Sequence, residues 1–378
     1  MTTIFIPTET VPGETRCAAV PETVAKLMAL GLDVSVQTGA GTAASITDAA
    51  FSDAGATIVK TAKAGFDKAD VIFKVRPPQG AEIKLIKKSS MIMSMFEGYA
   101  DAKRNKAIAA TGATVFGLEF IPRISRAQSM DVLSSQSNLA GYRAVIESTY
   151  HFSRAFPMMM TAAGTIPPAR VLVMGVGVAG LQAVATAKRL GAIVSATDVR
   201  PAAKEQVESL GGKFVAVEDD EFKQAETAGG YAKQMSAEYI AKQQALITET
   251  IKSMDIVITT ALIPGRPAPE LVSADMVKSM KTGAVIIDMA VEQGGNCALS
   301  KADEIIDVDG VTIVGHSNMP GRLPKDASSL FSRNLLSFIG LIWDKEAGAL
   351  TINEEDEIIA GSMVAKDGKL VHESLAGK

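Results

Sequence analysis

The most informative segment of this chain begins Arg170-Val-Leu-Val-Met-Gly175-Val-Gly177-Val-Ala-Gly180, and a helix-forming run follows. A second apolar strand comes next and ends at Asp198. Three glycines at this spacing are a weak pattern by themselves. Between an apolar strand and a strong helix, however, they mark the turn at which a Rossmann-like βαβ unit binds a dinucleotide. The segment therefore predicts a parallel sheet with a nucleotide site at this turn.

The residue types of this glycine motif suit a phosphate-binding turn. Gly175 permits a tight turn, Gly177 removes a side chain where the backbone approaches a pyrophosphate, and Gly180 allows the helix to pack closely. The helix, beginning at Val178, presents unpaired N–H groups and a positive dipole end to the phosphates. The candidate nucleotide-binding residues of this segment are Gly175, Gly177, Val178, Ala179, Gly180, Asp198, Val199 and Arg200.

The carboxylate at the end of the second strand indicates which dinucleotide is bound. Asp198 follows the first glycine by about 20 residues, where a carboxylate accepts hydrogen bonds from the adenosine ribose and repels a 2′-phosphate. This position favours NAD over NADP. Arg200 and Lys204 are close in sequence and would weaken the discrimination if they neutralise the carboxylate.

Two more apolar strands are predicted farther along the chain. The strand at 256–260 runs into Ala261 and Leu262, and the strand at 285–288 runs into a loop with two adjacent glycines. Open α/β sheets bind ligands beyond the carboxyl ends of their strands, so these loops are expected to line the nicotinamide half of the site. Ordinary loop chemistry explains the glycines almost as well.

Composition excludes several classes of protein. With 378 residues, 47% of them apolar, the chain is long enough for about two domains. The net charge of −4 argues against nucleic-acid partners. Because Cys17 and Cys297 are the only cysteines, neither a disulfide framework nor a cysteine-based metal site is expected. No signal peptide or membrane span is recognisable, which favours the cytoplasm.

Short apolar runs alternate with helical patterns on both sides of the glycine motif. This order predicts an α/β fold of two Rossmann-like domains with mostly parallel sheets, joined by long helices and with an NAD-binding cleft between them. One domain comprises 1–132 completed by 320–378, and the other comprises 133–319 with a linking helix. Long helices are predicted at 134–156 and 328–342, and turns or a hairpin at Gly361 and Gly368.

Several segments of the chain resemble a single family. They are residues 122–142, 156–164, the glycine motif, 226–233 and 260–265. Together they are similar to the NAD(H)-binding component of proton-translocating nicotinamide nucleotide transhydrogenase, and the likeness extends over nearly the whole chain. The stretch from Arg123 to Tyr142 is the longest and most specific region of it.

The resemblance implies an assembly and a reaction. The component would be a soluble subunit, peripheral on the inner face of the bacterial cytoplasmic membrane, and a homodimer. It would dock, with an NADP(H)-binding component, onto membrane subunits that form a proton channel. Hydride would pass directly from NADH to NADP⁺ on the partner, with Si-side and Re-side specificity, coupled to proton translocation. The lack of a recognisable membrane span implies the separate-subunit arrangement.

The resemblance also assigns roles to residues. Arg123 would lie near the nicotinamide and pyrophosphate, Asp131 and Ser134 near the nicotinamide carboxamide, and Gln128 would face the partner's NADP. Polar anchors suit hydride transfer, which requires two rings held in alignment. Asn138, in the same segment, would contribute to cofactor binding. The alternative is structural: surface ion pairs from the charged residues and a helix cap from Gln128 and Ser134.

One further segment resembles a loop that closes over the nucleotide. Residues 226–231 are polar and contain two adjacent glycines, a composition typical of lids. Tyr231 would close over bound nucleotide. The alternative is an idle surface loop.

Alanine dehydrogenase, which shares this architecture, is the rival interpretation. Arg16 and Lys74 match residues that hold the substrate in that enzyme. Two positions depart from it: Met95 stands where that enzyme has a catalytic histidine, and Glu292 where it has an aspartate. Reductive amination requires proton transfer, which Met95 cannot perform. Arg16 and Lys74 are therefore interpreted as vestiges or structural pairs. A nucleotide-sensing protein without chemistry of its own is a third hypothesis.

Overall fold

The computed structural model describes residues 2–223, 235–263 and 265–376. The chain divides into two compact units. Unit 1 comprises Met1–Gln136 with Pro320–Lys378, and unit 2 comprises Ser137–Met319. The division lies within a long helix, close to the boundary at 132–133 that the sequence predicts.

The strands have the following bounds in chain order: β1 Thr3–Ile6, β2 Asp33–Gln37, β3 Thr57–Val59, β4 Val71–Phe73, β5 Met91–Ser94, β6 Thr114–Gly117, β7 Met159–Thr161, β8 Gly164–Ile166, β9 Arg170–Met174, β10 Ile193–Thr197, β11 Lys213–Phe214, β12 Ile256–Thr259, β13 Val285–Asp288, β14 Ile305–Val308, β15 Val311–Val314, β16 Trp343–Asp344, β17 Ala349–Leu350, β18 Met363–Lys366 and β19 Lys369–Leu370.

The α-helices have the following bounds: α1 Pro21–Ala29, α2 Asp48–Asp53, α3 Ala62–Phe66, α4 Ala102–Ala109, α5 Val132–His151, α6 Val178–Arg189, α7 Ala202–Ser209, α8 Asp220–Lys223, α9 Ala237–Ile251, α10 Ala274–Lys278, α11 Pro324–Ile342 and α12 Glu357–Ser362. Short 3₁₀ helices occur between them, including Ser125–Met130 just before α5.

Unit 1 is built on an eight-stranded sheet with the order β19-β18-β6-β5-β4-β1-β2-β3. Strands β1 to β6 are parallel and follow the doubly wound order 3-2-1-4-5-6. Both faces of the sheet are buried, because Ile4 and Ile6 enter one hydrophobic cluster while Phe5 enters another. Burial on both faces explains why these strands are unbroken apolar runs in the sequence.

Unit 2 repeats this plan in a seven-stranded sheet with the order β11-β10-β9-β12-β13-β15-β14. Its strands are parallel except β14, which pairs antiparallel with β15 at one edge. Val171 and Val173 enter one hydrophobic cluster, whereas Leu172 enters the cluster on the opposite face. The prediction of two Rossmann-like domains with mostly parallel sheets is confirmed.

The long helix predicted at 134–156 ends earlier than expected. Helix α5 stops at His151, and the chain continues into a hairpin of β7 and β8 that the sequence analysis did not anticipate. Pro157 disfavours helical backbone at the residue before it. Phe156 instead accepts a hydrogen bond of 2.9 Å on its carbonyl oxygen from the N–H of Ala169.

The C-terminal segment joins the sheet of unit 1. Strand β18 pairs antiparallel with β6, and β18 and β19 form the predicted hairpin, with Gly368 in its turn at a φ of 84°. The turn predicted at Gly361 is wrong, because this residue lies within α12. Asp356 caps that helix by accepting the N–H of Ile358 at 2.8 Å, so a helix begins where glycine alone suggested a turn.

Membrane-spanning helices were sought in the described ranges. None of the helices there combines the length and the apolar character needed to cross a bilayer.

Candidate functional site

The site in unit 2 lies where the strand order reverses. Strand β9 has β10 on one side and β12 on the other, so the chain leaves the carboxyl ends of β9 and β12 toward opposite faces of the sheet. Thr260, just after β12, donates a hydroxyl hydrogen bond of 2.9 Å to the carbonyl oxygen of Gly175, just after β9. This contact joins the two strand ends that flank the crevice of a doubly wound sheet.

The glycines of the motif have distinct structural reasons. Gly175 has a φ of +96°, which side chains rarely tolerate. A Cβ at Gly180 would lie 1.9 Å from the carbonyl oxygen of Gly175, so glycine is needed for the helix to approach the turn. A Cβ at Gly177 would meet no protein atom within 4 Å. The space beside Gly177 is therefore open on the side from which a pyrophosphate would approach.

The start of α6 is held by a second close contact. Gly141 of α5 packs against the backbone of Ala179, where a Cβ would lie only 2.0 Å from the carbonyl oxygen of Ala179. Val178 is exposed in the first turn. Because the first N–H groups of a helix have no acceptor within it, this turn can bind an anion. The sequence analysis missed Gly141, although a glycine inside a long helix is itself a signal of close packing.

Asp198 lies just after β10, and other groups already engage its carboxylate. Its oxygens accept the N–H of Val176 at 2.7 Å and the N–H of Arg200 at 2.9 Å. The Arg200 guanidinium adds hydrogen bonds of 2.9 and 3.0 Å to the same carboxylate. Lys204 pairs instead with Glu218 at 2.6 Å. Of the two cations expected to weaken discrimination, Arg200 is the one on the carboxylate.

The loops after β12 and β13 are fastened by two residues without a predicted role. The Asn296 side chain accepts the N–H of Ala261 and donates to its carbonyl oxygen, both at 2.9 Å. Asp288 is fully buried and accepts hydrogen bonds from five groups, namely the hydroxyls of Thr259 and Ser300 and the N–H groups of Ala290, Asn296 and Cys297. Leu262, beyond Ala261, is exposed.

The predicted hydride-transfer residues lie in unit 1. Arg123 and Gln128 are exposed, with Gln128 in the 3₁₀ helix that precedes α5. Asp131 accepts the N–H of Ser134 at 2.8 Å and its hydroxyl at 2.5 Å. The carboxylate of Asp131 therefore caps α5, a structural contact of the kind that the alternative interpretation ascribes to Gln128 and Ser134.

This loop is braced from α11 and α12 of the same unit. Asn334 donates a hydrogen bond of 2.8 Å to the carbonyl oxygen of Ser129 and accepts one of 2.7 Å from the hydroxyl of Ser135. Arg126 forms an exposed ion pair with Asp356 at 2.7 Å. The loop that carries Gln128 is therefore held at both sides of that residue.

Two predicted binding residues add little geometry. Asn138 is exposed in unit 2 and donates a 3.3 Å hydrogen bond to the Gln182 side chain. Tyr231 and the predicted lid at 226–231 lie outside the described residues.

The residues shared with the rival enzyme are occupied by this chain's own carboxylates. Arg16 is buried and is held by Glu14, with nitrogen–oxygen distances of 2.8 and 2.7 Å, and by Gln136 at 2.9 Å. Arg76 also reaches Glu14 at 3.0 Å. Burial alone would raise the pKa of Glu14, but hydrogen bonds from Arg16 and the two guanidinium charges hold it at about 2.

Lys74 follows β4 at the point where the strand order of unit 1 reverses. It is fully buried between Glu82, at 2.9 Å, and Glu9, at 3.4 Å. Burial raises the pKa of Glu9 in spite of the opposing charge of Lys74. Because the Arg16 and Lys74 cations already have carboxylate partners, a substrate acid would have to displace a buried internal ion pair.

The departures from the rival's chemistry are also visible. Met95 is partly buried and packs on the core of unit 1. Glu292 accepts the N–H of Asn318 at 3.2 Å. The two cysteines are buried, and burial raises the pKa of Cys17 to about 12 and that of Cys297 to about 11. Neither thiol is a nucleophile at neutral pH.

Comparison with known proteins places these features in a family. The model described as "Alanine dehydrogenase/PNT, N-terminal domain" matches residues 5–140, and "Alanine dehydrogenase/PNT, C-terminal domain" matches residues 144–373. The chain belongs to the alanine dehydrogenase/PNT family. The family resemblance inferred from the sequence is thereby confirmed.

Individual members of the alanine dehydrogenase/PNT family differ in their likeness to this chain. A protein of Rhodospirillum rubrum that is named as an NAD(P) transhydrogenase subunit alpha is 55% identical over 99% of both chains. A transhydrogenase structure from Sinorhizobium meliloti is 49% identical over 98% of this chain and 100% of its own, with a TM-score of 0.89. An L-alanine dehydrogenase structure is 26% identical over 99% of this chain and 98% of its own, with a TM-score of 0.82.

Membership in the alanine dehydrogenase/PNT family implies NAD(H) binding, and unit 2 fits that cofactor. The positive φ of Gly175 and the open space beside Gly177 provide a turn that a pyrophosphate can approach. The first turn of α6 offers N–H donors, and Asp198 supplies a carboxylate after the neighbouring strand.

Proposed function

We propose that this chain is the NAD(H)-binding component of a proton-translocating transhydrogenase. The observation that carries the proposal is the contrast between the two strand-order reversals. In unit 2 the space beside Gly177 is open for a dinucleotide, whereas in unit 1 the Arg16 and Lys74 cations are paired with internal carboxylates. A component that binds NADH and passes hydride to a second nucleotide needs the first feature and needs no site for a substrate acid.

The relatives support the same choice. Identity to the proteins named as transhydrogenase is 55% and 49%, against 26% for the L-alanine dehydrogenase structure. Met95 offers no proton for reductive amination. Alanine dehydrogenase-like activity, the rival function, is therefore disfavoured by sequence, by charge pairing and by chemistry.

In this proposal the chain's residues bind and orient the cofactor. The α6 N-terminus and the Gly175 turn hold the pyrophosphate, and Asp198 accepts hydrogen bonds from the ribose hydroxyls. Bound NADH supplies the hydride for the reaction. Asp131 and Ser134 fix the nicotinamide carboxamide, since a carboxylate already holding Ser134 retains lone pairs for another donor.

Two exposed residues have the remaining roles. Arg123 contacts the nicotinamide and pyrophosphate, and Gln128 faces the NADP nucleotide of the partner. Both side chains are exposed, which leaves them accessible to a nucleotide. Orientation alone can supply a large share of the rate when two rings must meet at close distance.

We infer that the other components complete the reaction. A separate NADP(H)-binding component accepts the hydride, and membrane subunits couple the transfer to proton movement. Docking on those subunits makes this chain peripheral on the inner face of the cytoplasmic membrane. The transfer is specific for the Si and Re sides of the two rings.

A homodimer is also proposed, with the β7–β8 hairpin at its interface. Met158 and Met160 of this segment are 58% and 77% exposed, and Tyr150 at the end of α5 is 82% exposed. Apolar exposure of this extent in adjacent segments is typical of an interface. Met160→Glu should give a monomer by light scattering, while Ile240→Glu, at an exposed position of α9, should leave the dimer intact.

The proposed function is tested by mixing components. Stopped-flow absorbance should detect direct hydride transfer between this chain, loaded with an NADH analogue of distinct absorbance, and an NADP(H)-binding component loaded with NADP⁺. Without that component, turnover should be absent. Pyruvate- and ammonia-dependent NADH oxidation by the isolated chain would instead establish the alanine dehydrogenase interpretation. NADH binding without transfer in the mixture would establish a nucleotide sensor.

A further inference from the structure

Three side chains of unit 2 bring metal-ligating atoms together away from the glycine motif. Glu147, His151 and His316 each offer one ligand atom, and these atoms all lie within 4.8 Å of one another. Nε2 of His316 lies 3.9 Å from Oε2 of Glu147. Two imidazoles and one carboxylate are a donor set that binds zinc and other late first-row divalent metals.

The fold explains how the three side chains meet. Glu147 and His151 are four residues apart on α5, and residues at that spacing lie on the same face of a helix. His316 follows β15, which ends at Val314. The cluster therefore combines the last turn of one helix with the carboxyl end of a strand, and both elements are anchored in the sheet and cores of unit 2.

Glu147 is oriented by a neighbour on its own helix. Arg143 donates a hydrogen bond of 2.8 Å from Nε to Oε1 of Glu147, and the side chain of Glu147 is only 5% exposed. The other carboxylate oxygen, Oε2, is the one closer to His316. Metal-ligating carboxylates are commonly fixed in this way by an outer hydrogen-bond donor.

We propose that Glu147, His151 and His316 form a site for a divalent transition metal ion, with Zn²⁺ the best match. Three protein ligands leave a fourth tetrahedral position for water. Small rotations of the imidazoles bring the ligand atoms to about 3.4 Å from one another, as bonds of about 2.1 Å in a tetrahedron require. The bound ion would tie the end of α5 to the segment after β15, a stabilising role separate from hydride transfer.

The distribution of histidine makes the site easy to test. The chain has three histidines, and the third, His372, lies in unit 1. Isothermal titration of the full chain with Zn²⁺ should show one site per chain. His151→Gln and His316→Gln should each weaken that binding at least about tenfold, since even outer-sphere partners are worth as much. His372→Gln, the matched control, should bind Zn²⁺ as the wild type does.

A second measurement works on the wild-type chain. In long-range ¹H–¹⁵N correlation spectra, one equivalent of Zn²⁺ should shift the imidazole signals of two histidines and leave the third unchanged. The melting temperature of the wild type should rise with Zn²⁺, and that of His316→Gln should not. Unchanged imidazole signals at one equivalent of Zn²⁺, or equal Zn²⁺ affinity in His316→Gln and the wild type, would overturn the proposal.

Discussion

Arg200 forms a two-pronged ion pair with Asp198, with Nε 2.9 Å from Oδ1 and Nη2 3.0 Å from Oδ2. The same Nη2 donates to the carbonyl oxygen of Val176 at 3.0 Å, so the guanidinium is held against the glycine turn. Asp198 is thus partly neutralised at the position where its charge would repel the 2′-phosphate of NADP. The preference for NADH consequently depends on both residues.

Removing the guanidinium should sharpen cofactor selection. In Arg200→Gln the carboxylate regains its full repulsion, and the ratio of NADPH to NADH dissociation constants should rise by about tenfold, or ~1.4 kcal/mol. In Asp198→Ala the unpaired arginine can bind a 2′-phosphate, so the ratio should fall. Fluorescence titration of both nucleotides measures it. Equal affinity of the wild type for NADH and NADPH would contradict the assignment of Asp198.

Two glycines of the motif should respond differently to alanine. In Gly177→Ala the added methyl meets no protein atom within 4 Å, so the melting temperature without nucleotide should stay unchanged. NADH affinity should nevertheless fall at least about tenfold, because the methyl occupies the path of the pyrophosphate.

Gly180→Ala is the comparison. Its methyl would lie 1.9 Å from the carbonyl oxygen of Gly175, so the turn must shift and the free energy of unfolding should drop by about 1–3 kcal/mol. Calorimetry and NADH titration of both variants distinguish the two effects. Normal NADH binding by Gly177→Ala would place the pyrophosphate elsewhere.

Sequence patterns were sufficient where one local rule governs a whole element. Strands buried on both faces, such as β9 and β12, are unbroken apolar runs, and the glycine motif has a spacing that few other structures require. Strands β7 and β8 could not be predicted in this way. Every residue of these short strands is exposed, so they have no apolar alternation.

Contacts between distant regions of the sequence explain the rest of what was missed. Asn334 braces Ser129 across 205 positions, and Asn296 clamps Ala261 across 35. A single asparagine in a helix or loop gives no sign of its acceptor until the fold brings it there. The charge pairing of Lys74 by Glu9 and Glu82 is of the same kind, although the sequence did suggest a structural pair.

Glu14 should make stability depend on pH at the acid end. Its pKa of about 2 in the folded chain lies below the value of 4.5 expected when unfolded, so its ionised form stabilises the fold. That contribution, about 3 kcal/mol, is complete above pH 4.5 and is lost as pH falls toward 2. Urea unfolding should show that Glu14→Gln destabilises the chain most near pH 7 and progressively less below pH 4.5.

Glu22 is the control for this experiment. Hydrogen bonds from Lys26 and Arg333 also lower its pKa to about 2, but its side chain is exposed. Surface pairs of this kind contribute little, because water screens them. Glu22→Gln should therefore leave urea unfolding nearly unchanged at every pH. An equal effect of the two substitutions would mean that the burial of Glu14 is unimportant.

Gln128→Asn separates transfer between nucleotides from all other roles of the loop. Gln128 is exposed, whereas Asn334 braces the loop backbone from within unit 1, so shortening the side chain should leave the fold and NADH affinity unchanged. The amide moves by roughly 1 Å, and a displacement of that size can cost on the order of a hundredfold when rate depends on alignment. The loss should appear only in stopped-flow transfer to the NADP(H)-binding component.

Two further variants show whether the loss in Gln128→Asn comes from the side chain that faces the second nucleotide. Ser125→Ala, at an exposed position of the same 3₁₀ helix, serves as the control and should transfer normally. Asp131→Asn should slow transfer and also weaken NADH binding, because this residue is assigned to the carboxamide. Unimpaired transfer by Gln128→Asn would show that this side chain does not contact the second nucleotide.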